Sequence, residues 1–307
     1  MSATPGPSVS VVVPTRDRPE LLRRALETIV GQDYTGDIEC VVVFDQSEPD
    51  PSIELDEPRR RIRVIRNART PGLAGSRNSG LLEATGDLVA FCDDDDEWLP
   101  GKVSAQIHAL RRVPRTMAVG CGMVVHYGDR EIVRIPDFDR LTYEMLLADR
   151  VTEVNSSTCC YERQWLIDEV GLVDEELPGG YAEDYDLLLR VARRSPILVV
   201  REPLSRIYWH QSSFFSERWQ MIDDALGYLV DKFPDFDGVP RGLARIRGQQ
   251  AVARAAMGER RRALSAIGQT LRLRLTEKRA WLALAITSGL VSADQARRLA
   301  HHFGRGL

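Results

Sequence analysis

Between residues 8 and 92 short β-branched apolar runs alternate with segments of helical period, and no other feature of the sequence restricts the fold as much. SVSVVVPT ends at Pro14-Thr15 in the manner of a buried strand, and DRPELLRRALETIVGQ then spaces Leu22, Ala25, Leu26, Ile29 and Val30 as one helix face. Asp17, with Glu20 three residues on and Pro19 between them, predicts the helix start. IECVVVF (38–44) reads as a second strand ended by Asp45, and RIRVI (62–66) as a third. The turn-rich NARTPGLAGSRNSG then leads into a short helix ending at Gly86, and LVAFC (88–92) is the fourth strand. This order predicts an α/β fold, a mostly parallel open sheet whose apolar strands need helices on both faces. Ligands of such sheets bind beyond the carboxyl ends of the strands, where Thr15, Asp45 and Asp93 fall.

The fourth strand runs straight into Asp93, Asp94, Asp95, Asp96 and Glu97. A charge run is ordinarily a solvated face. Here it follows a buried strand and is closed by Trp98-Leu99 and the turn pair Pro100-Gly101, so the carboxylates are held rather than free to swing apart. Five adjacent carboxylates need positive charge among them. Hard oxygen ligands suit Mg²⁺ or Mn²⁺, and Mg²⁺ takes only one or two carboxylates while filling its other positions with water and substrate phosphate. The sequence therefore predicts a divalent cation carrying a diphosphate as the counter-charge.

Charge is unevenly distributed. From Arg241 to the end the net charge is +11, which leaves −15 for residues 1–240. An acidic body is a poor nucleic-acid partner, because phosphate neutralisation supplies most of that affinity. The 307 residues allow one large domain or two. No apolar run approaches the ~18 residues of a membrane span, and the N-terminus lacks a basic segment followed by an apolar one, so a cytoplasmic location is expected. Cys40, Cys92, Cys121, Cys159 and Cys160 show no CxxC spacing and read as reduced, buried residues.

Four blocks, VSVVVPTRDRPELLRRAL, VVVFDQS, GLAGSRNSGLLEATGDLVAFCDDDDEWLP and GGYAEDYDLLLRV, resemble in order and spacing those of the family 2 glycosyltransferases. The resemblance covers roughly residues 8–215 and implies the GT-A fold, Rossmann-like, with residues 8–100 as the nucleotide-binding half and 101–215 as the acceptor half. It also implies inverting transfer of a sugar from a nucleotide diphosphate to a hydroxyl acceptor, such as a growing cell-envelope glycan or a lipid-linked sugar. UDP is the favoured donor nucleotide, with GDP and dTDP as alternatives. Residues 1–7 are expected to be disordered and 216–307 to form an α-helical region.

The resemblance assigns roles position by position. Pro14 and Thr15 match the segment lying along the base, Asp45 the acid at the base edge, and Arg77 a basic residue near the diphosphate. Asp93 faces the ribose with Asp94 beside it on the nucleotide side, and Asp95 binds the metal; Asp94 with Asp96 is the alternative register. Asp184 matches the catalytic base. A positioned carboxylate that takes the proton of a sugar hydroxyl contributes about 10²–10⁴-fold. Glu183 matches an acceptor contact, although acids in the first turn of a helix are also simple caps. His210, in SRIYWHQSS, matches a histidine that closes over the metal. Two positions depart from the family pattern: Gln46 stands for an acid and Ser47 for a glycine, which leaves base preference open.

Three other readings compete. A sugar nucleotidyltransferase would carry a Gly-rich basic loop where this chain has PTRDRPE, and a P-loop NTPase would need G-x-x-x-x-G-K-[ST], which is absent. An inactive binding module of the same fold is the non-enzymatic alternative. The basic, alanine-rich segments beyond residue 240 read as helical hairpins that either present a solvated face or approach anionic membrane, where lipid-linked acceptors reside.

Overall fold

The computed structural model describes residues 6–209, 218–292 and 295. They fall into two compact units. One comprises Met1–Tyr143, Val151–Glu175 and Glu183–Trp209, and the other Glu144–Arg150, Glu176–Ala182 and His210–Leu307, each over its described residues.

The first unit opens with β1 (Val9–Thr15), α1 (Pro19–Val30) and β2 (Ile38–Phe44). Both strands are buried along their whole length, as their unbroken apolar text requires. Asp17 does not cap α1. Arg18 occupies the capping position without a side-chain cap bond, and Asp17 lies in the left-handed region at φ 54°. The reason is Pro19: its fixed φ suits the first helical position, so the helix starts one residue later than a cap at Asp17 would allow.

Next come β3 (Leu55–Glu57), β4 (Arg60–Arg66), α2 (Leu73–Glu83) and β5 (Leu88–Phe91). β3 is a three-residue hairpin partner of β4, too short to leave a pattern, and it caps the sheet edge. β4 begins two residues before the predicted strand. α2 stops three short of Gly86, because Gly86 packs its backbone against Ser10 and donates to Ser10 Oγ at 2.7 Å.

The chain continues through β6 (Glu97–Trp98), α3 (Lys102–Arg112), β7 (Ala118–Tyr127), β8 (Arg130–Arg134), β9 (Arg140–Leu141) and α4 (Tyr143–Ala148). It then forms β10 (Cys160–Glu162), α5 (Arg163–Trp165), α6 (Glu183–Arg194) and β11 (Ile197–Tyr208). The main sheet order is β3-β4-β2-β1-β5-β10-β7-β11-β6, with β4, β2, β1 and β5 mutually parallel. β10 runs antiparallel to both its neighbours.

Period two along β1 sorts its two faces. Val9, Val11 and Val13 join the cluster with Leu22, Leu26 and Ile29 of α1 and Val103 and Ile107 of α3. Val12 points the other way, toward α2. There Gly80 is required for close approach, since a Cβ would lie 2.3 Å from Val12 Cγ1.

Connectivity then places the site. From β1 the chain moves outward to β2 and β4 and returns to β5 on the opposite flank of β1. Such a reversal opens a crevice at the carboxyl ends of the two strands flanking it. Those ends are Thr15 and the acidic run that follows Phe91.

The second unit contains α7 (Trp219–Lys232), α8 (Pro240–Ala256), α9 (Arg260–Leu273) and α10 (Lys278–Thr287). Its core is built largely from alanine, with Ala251, Ala255, Ala263, Ala266, Ala280 and Ala283 packed against Val252 and Ile267. Asp223 of α7, buried, binds Arg254 of α8 and Arg262 of α9 and so ties three helices together. No helix among the described residues is long and apolar enough to cross a membrane. All five cysteines are buried and unpaired with one another.

Candidate active site

The acidic run meets its counter-charges within the chain itself. Arg18 bonds Asp94 at 3.2 Å and Asp95 at 3.0 Å; Arg77 bonds Asp93 at 2.7 Å; Arg24 and Arg206 bond Glu97 at 2.6 and 3.1 Å. Four arginines thus neutralise much of what the sequence assigns to a cation, and they come from α1, its leading loop, α2 and β11, none of them adjacent in sequence to the run.

The run is also split by burial. The side chains of Asp93 and Asp95 keep 32% and 20% exposure, whereas Asp94 and Asp96 face inward. Asp94 accepts from Thr15 Oγ1 at 2.7 Å. Burial pushes its pKa up to about 6, opposed by the Thr15 bond and Arg18. Asp96 accepts from Ser157 Oγ at 2.6 Å and from the Tyr208 amide at 3.3 Å. Burial, reinforced by Asp93 and Asp95, drives its pKa well above the carboxylate range.

Arg77 is fully buried in mid-α2, where its neighbours admit a guanidinium only because carboxylates meet it. It donates to Asp93, to Ser156 Oγ at 3.1 Å and to Glu183. Burial would lower its pKa, but the charges of Asp93 and Glu183 prevail and hold it above the ordinary value. Arg77, expected near the diphosphate, joins the acidic loop to the start of α6.

Glu183, expected at the acceptor, opens that helix and is itself buried against Arg77. Burial raises its pKa to about 7, with Arg77 opposing the rise and Asp184 adding to it. Asp184, next in the chain, is only half-buried, and its Oδ1 accepts from the Tyr185 amide at 2.8 Å. The residue before the pair, Ala182, is held at φ 67°. An alanine in the left-handed region stores strain of the kind that collects at functional positions.

Asp45 follows β2 and is buried among donors: Asn67 Nδ2 at 2.8 Å, Gln46 Nε2 at 2.9 Å and the Gly72 amide at 3.1 Å. Burial raises its pKa, yet these bonds outweigh it and leave the group below the usual carboxylate value. Gln46, which replaces a family acid, therefore serves as a donor to Asp45 where a second carboxylate would repel it. Beside Thr15 a cleft of about 310 Å³ is lined by Arg18, Leu22, Phe44, Ser47 and Ile53 among others, and Ser47 stands there in place of the family glycine. Pro14 and Thr15 close β1 at its margin. His210 lies outside the described residues.

Two residues of this site escaped the sequence reading. Arg18 was absorbed into the helix start. Ser157, in a 3-10 turn capped by Asn155, accepts from the Asp93 amide at 3.1 Å and donates to Asp96, so it pins both ends of the acidic loop. Its main-chain oxygen receives Trp98 Nε1 at 3.2 Å. The only local signal is the Asn-Ser-Ser run, whose cap chemistry says nothing about a loop 61 residues away.

Among the described residues no three His, Cys, Asp or Glu side chains converge as a metal cage. A Mg²⁺ or Mn²⁺ site completed by substrate oxygens needs only one or two carboxylates. The outward-facing pair Asp93 and Asp95 fits that requirement in donor type and accessibility.

Comparison with known proteins yields three kinds of match. The model of "Glycosyl transferase family 2" matches residues 10–170. The Escherichia coli protein named UDP-Glc:α-D-GlcNAc-diphosphoundecaprenol β-1,3-glucosyltransferase WfgD is 25% identical over 236 residues, covering 73% of this chain and 87% of its own. The chain spans only 25% and 33% of the lengths of the first two curated relatives it matches. In structure it is similar to Staphylococcus aureus TarS 1-349 in complex with UDP, with a TM-score of 0.60, 18% identity and coverage of 97% and 92% of the two chains. It is also similar to the mannosyltransferase PcManGT from Pyrobaculum calidifontis, in complex with GDP-Man and Mn²⁺, with a TM-score of 0.54, 19% identity and coverage of 98% and 81%. At these identities the structural likeness establishes the GT-A fold.

Proposed function

The chain belongs to glycosyl transferase family 2, and on that premise we propose that it moves a sugar, with inversion, from a nucleoside diphosphate to a hydroxyl acceptor on a lipid-linked glycan. The observation that carries the reading is the buried Arg77 guanidinium, bonded at once to Asp93 of the acidic loop and to Glu183 beside Asp184. One rigid group thereby fixes the donor-side carboxylates relative to the half-buried Asp184, and fixed placement is what acid–base catalysis requires.

Asp184 is the base that takes the acceptor's proton. It has the exposure that Glu183 lacks, and it is oriented by the Tyr185 amide. Glu183 acts through Arg77 as a positioning group. Asp93 and Asp95 would hold Mn²⁺ or Mg²⁺, with His210, by sequence resemblance, as a further ligand. When bound, the cation supplies Lewis-acid stabilisation of the departing nucleoside diphosphate. Arg18, 48% exposed beside Asp95, adds a positive charge at the same edge. Thr15 and the cleft bounded by Phe44 and Ser47 receive the nucleoside.

UDP is favoured as the donor nucleotide. Support comes from the TarS neighbour solved with UDP and from the relative whose name specifies UDP-Glc and a diphosphoundecaprenol acceptor. GDP and dTDP sugars are the alternatives.

The test is a panel of sugar nucleotides incubated with the purified chain, Mn²⁺ and a short diphospholipid-linked glycan. Release of nucleoside diphosphate together with a lengthened acceptor is expected. Pyrophosphate release would mean nucleotidyl transfer, and binding without turnover would mean a GT-A module that only binds.

A further inference from the structure

Large apolar side chains are exposed on the α9–α10 connection, along α10 and just after it. Leu275 is 70% exposed, Trp281 53% and Leu290 80%, with Leu284 at 37%. Leu275, Trp281 and Leu284 belong to one surface. Trp281 Nε1 donates to the Leu275 main-chain oxygen at 2.9 Å, which holds the indole against the α9–α10 connection. On α10, Lys278, Trp281 and Leu284 recur at steps of three, while Ala280 and Ala283 on the opposite side are buried in the alanine core.

The charges around this surface have one sign. Arg272, Arg274 and Lys278 are exposed. Between residues 260 and 292 the sequence holds seven Lys or Arg and a single acid, Glu277, which is buried and bonded to Arg279 at 2.9 Å. A solvated face would disperse its cations among carboxylates and would not present a tryptophan and two leucines. A tryptophan and leucines rimmed by long cationic side chains suit the boundary between lipid headgroups and acyl chains.

We propose that Leu275, Trp281 and Leu284, with Arg272, Arg274 and Lys278, form a face that docks on an anionic lipid surface. Charge complementarity selects that occupant: a second copy docked face to face would set these cations against one another, whereas an anionic lipid surface carries the opposite charge across the whole face. The face would bring the enzyme to the phase that contains a lipid-linked acceptor, and only that purpose rests on the function proposed above.

Co-sedimentation of the full chain with vesicles tests it, comparing phosphatidylcholine alone with an equimolar mixture of phosphatidylcholine and phosphatidylglycerol, at low and high salt. Binding to the anionic vesicles alone, weakened by salt, is expected. The triple variant Arg272→Glu, Arg274→Glu, Lys278→Glu removes the anionic preference, at about fivefold per cation. Trp281→Ser with Leu284→Ser lowers binding at either salt concentration, and Arg130→Glu, on exposed β8 of the first unit, serves as the surface control with binding unchanged. All these side chains are partly or wholly solvent-exposed, and circular dichroism confirms that the variants fold. Wild-type protein that ignores anionic vesicles at low salt overturns the proposal, as do variants that bind like wild type. So does a wild-type dimer that the Trp281→Ser, Leu284→Ser variant dissolves. The vesicles carry no acceptor, so sugar transfer without vesicle binding sinks this proposal alone, and vesicle binding without sugar transfer sinks the enzymatic reading alone.

Discussion

Thr15 and Asp94 are joined by a 2.7 Å hydrogen bond across 79 residues of sequence, at the point where β1 and the loop after β5 face each other. Both are buried. The bond matters because Asp94 is a carboxylate in surroundings that disfavour its charge, and Thr15 is one of two groups that oppose the resulting rise in its pKa. Thr15→Val keeps the shape and removes the donor. The expected cost is about 1–3 kcal/mol of stability, the penalty for a buried acceptor left short of a partner, read as a lower urea midpoint at unchanged slope. UDP affinity should fall with it. A variant as stable as wild type would show that Arg18 alone satisfies Asp94.

Arg77 makes a sharper prediction. Its guanidinium is buried between Asp93 and Glu183, so Arg77→Met leaves at least one carboxylate without its counter-charge. Breaking such a buried pair from one side costs about 3–5 kcal/mol. Removing both members of the Glu183 pair should cost less than removing the arginine alone: Arg77→Met with Glu183→Gln is expected to recover more than 1 kcal/mol over the single variant, in a double-mutant cycle followed by denaturant unfolding. Strict additivity would mean that the two groups do not share an interaction. Arg77→Lys should also fail, since an ammonium on a flexible stem cannot reproduce the fork that reaches Asp93, Ser156 and Glu183 together.

These two contacts also mark how far the sequence could be read. The strands β1, β2 and β5 were legible because their apolar text has no other home than the middle of a sheet, and α6 because Leu188, Val191 and Ala192 share one face. Asp184 at its N-terminus could be placed from the same pattern. The partners of the acidic run could not. Arg18 and Arg24 come from the start of α1, Arg77 from α2 and Arg206 from β11, and which arginine reaches which carboxylate depends on strand order, which no local period encodes. The alternation of buried and outward carboxylates was likewise hidden in a run of identical residues. Asp17 misled because cap chemistry is local, whereas Pro19 fixes the start of the helix.

Glu175 provides a pH test away from the catalytic groups. It accepts from Asn78 Nδ2 at 2.6 Å, from the Thr70 amide at 3.3 Å and from Arg69. Burial raises its pKa, but the bonds from Thr70, Arg69 and Asn78 prevail and bring it down to about 2. The folded-state pKa is therefore below the unfolded value. Its contribution is present above roughly pH 4.3, the ordinary glutamate value, and is lost as pH falls through the interval down to about 2. Wild-type stability should decline across that window by up to about 3 kcal/mol from this group. Glu175→Gln should be less stable than wild type at neutral pH, and the two curves should converge toward pH 2. Parallel curves from pH 7 to pH 2 would show that Glu175 is not held by these bonds when folded.

Asp184 separates placement from chemistry. Its carboxylate is half-exposed at the start of α6, where the helix dipole favours negative charge by about 0.3–1 kcal/mol, so Asp184→Asn should change the melting temperature little. The amide keeps the size and can still accept from the Tyr185 main chain, but it cannot take a proton. If Asp184 is the base, kcat falls by about 10²–10⁴-fold while the dissociation constant for UDP, measured calorimetrically with Mn²⁺ present, stays within about twofold of wild type. Glu183→Gln should behave differently: it disturbs Arg77 and through it Asp93, so donor affinity and stability should move along with kcat. Near-normal turnover in Asp184→Asn would remove the base from this position and leave the acids of the first turn as helix caps. Loss of UDP binding in the same variant would instead assign Asp184 to the donor side of the site, since a base that acts only on the acceptor hydroxyl contributes nothing to holding the nucleotide.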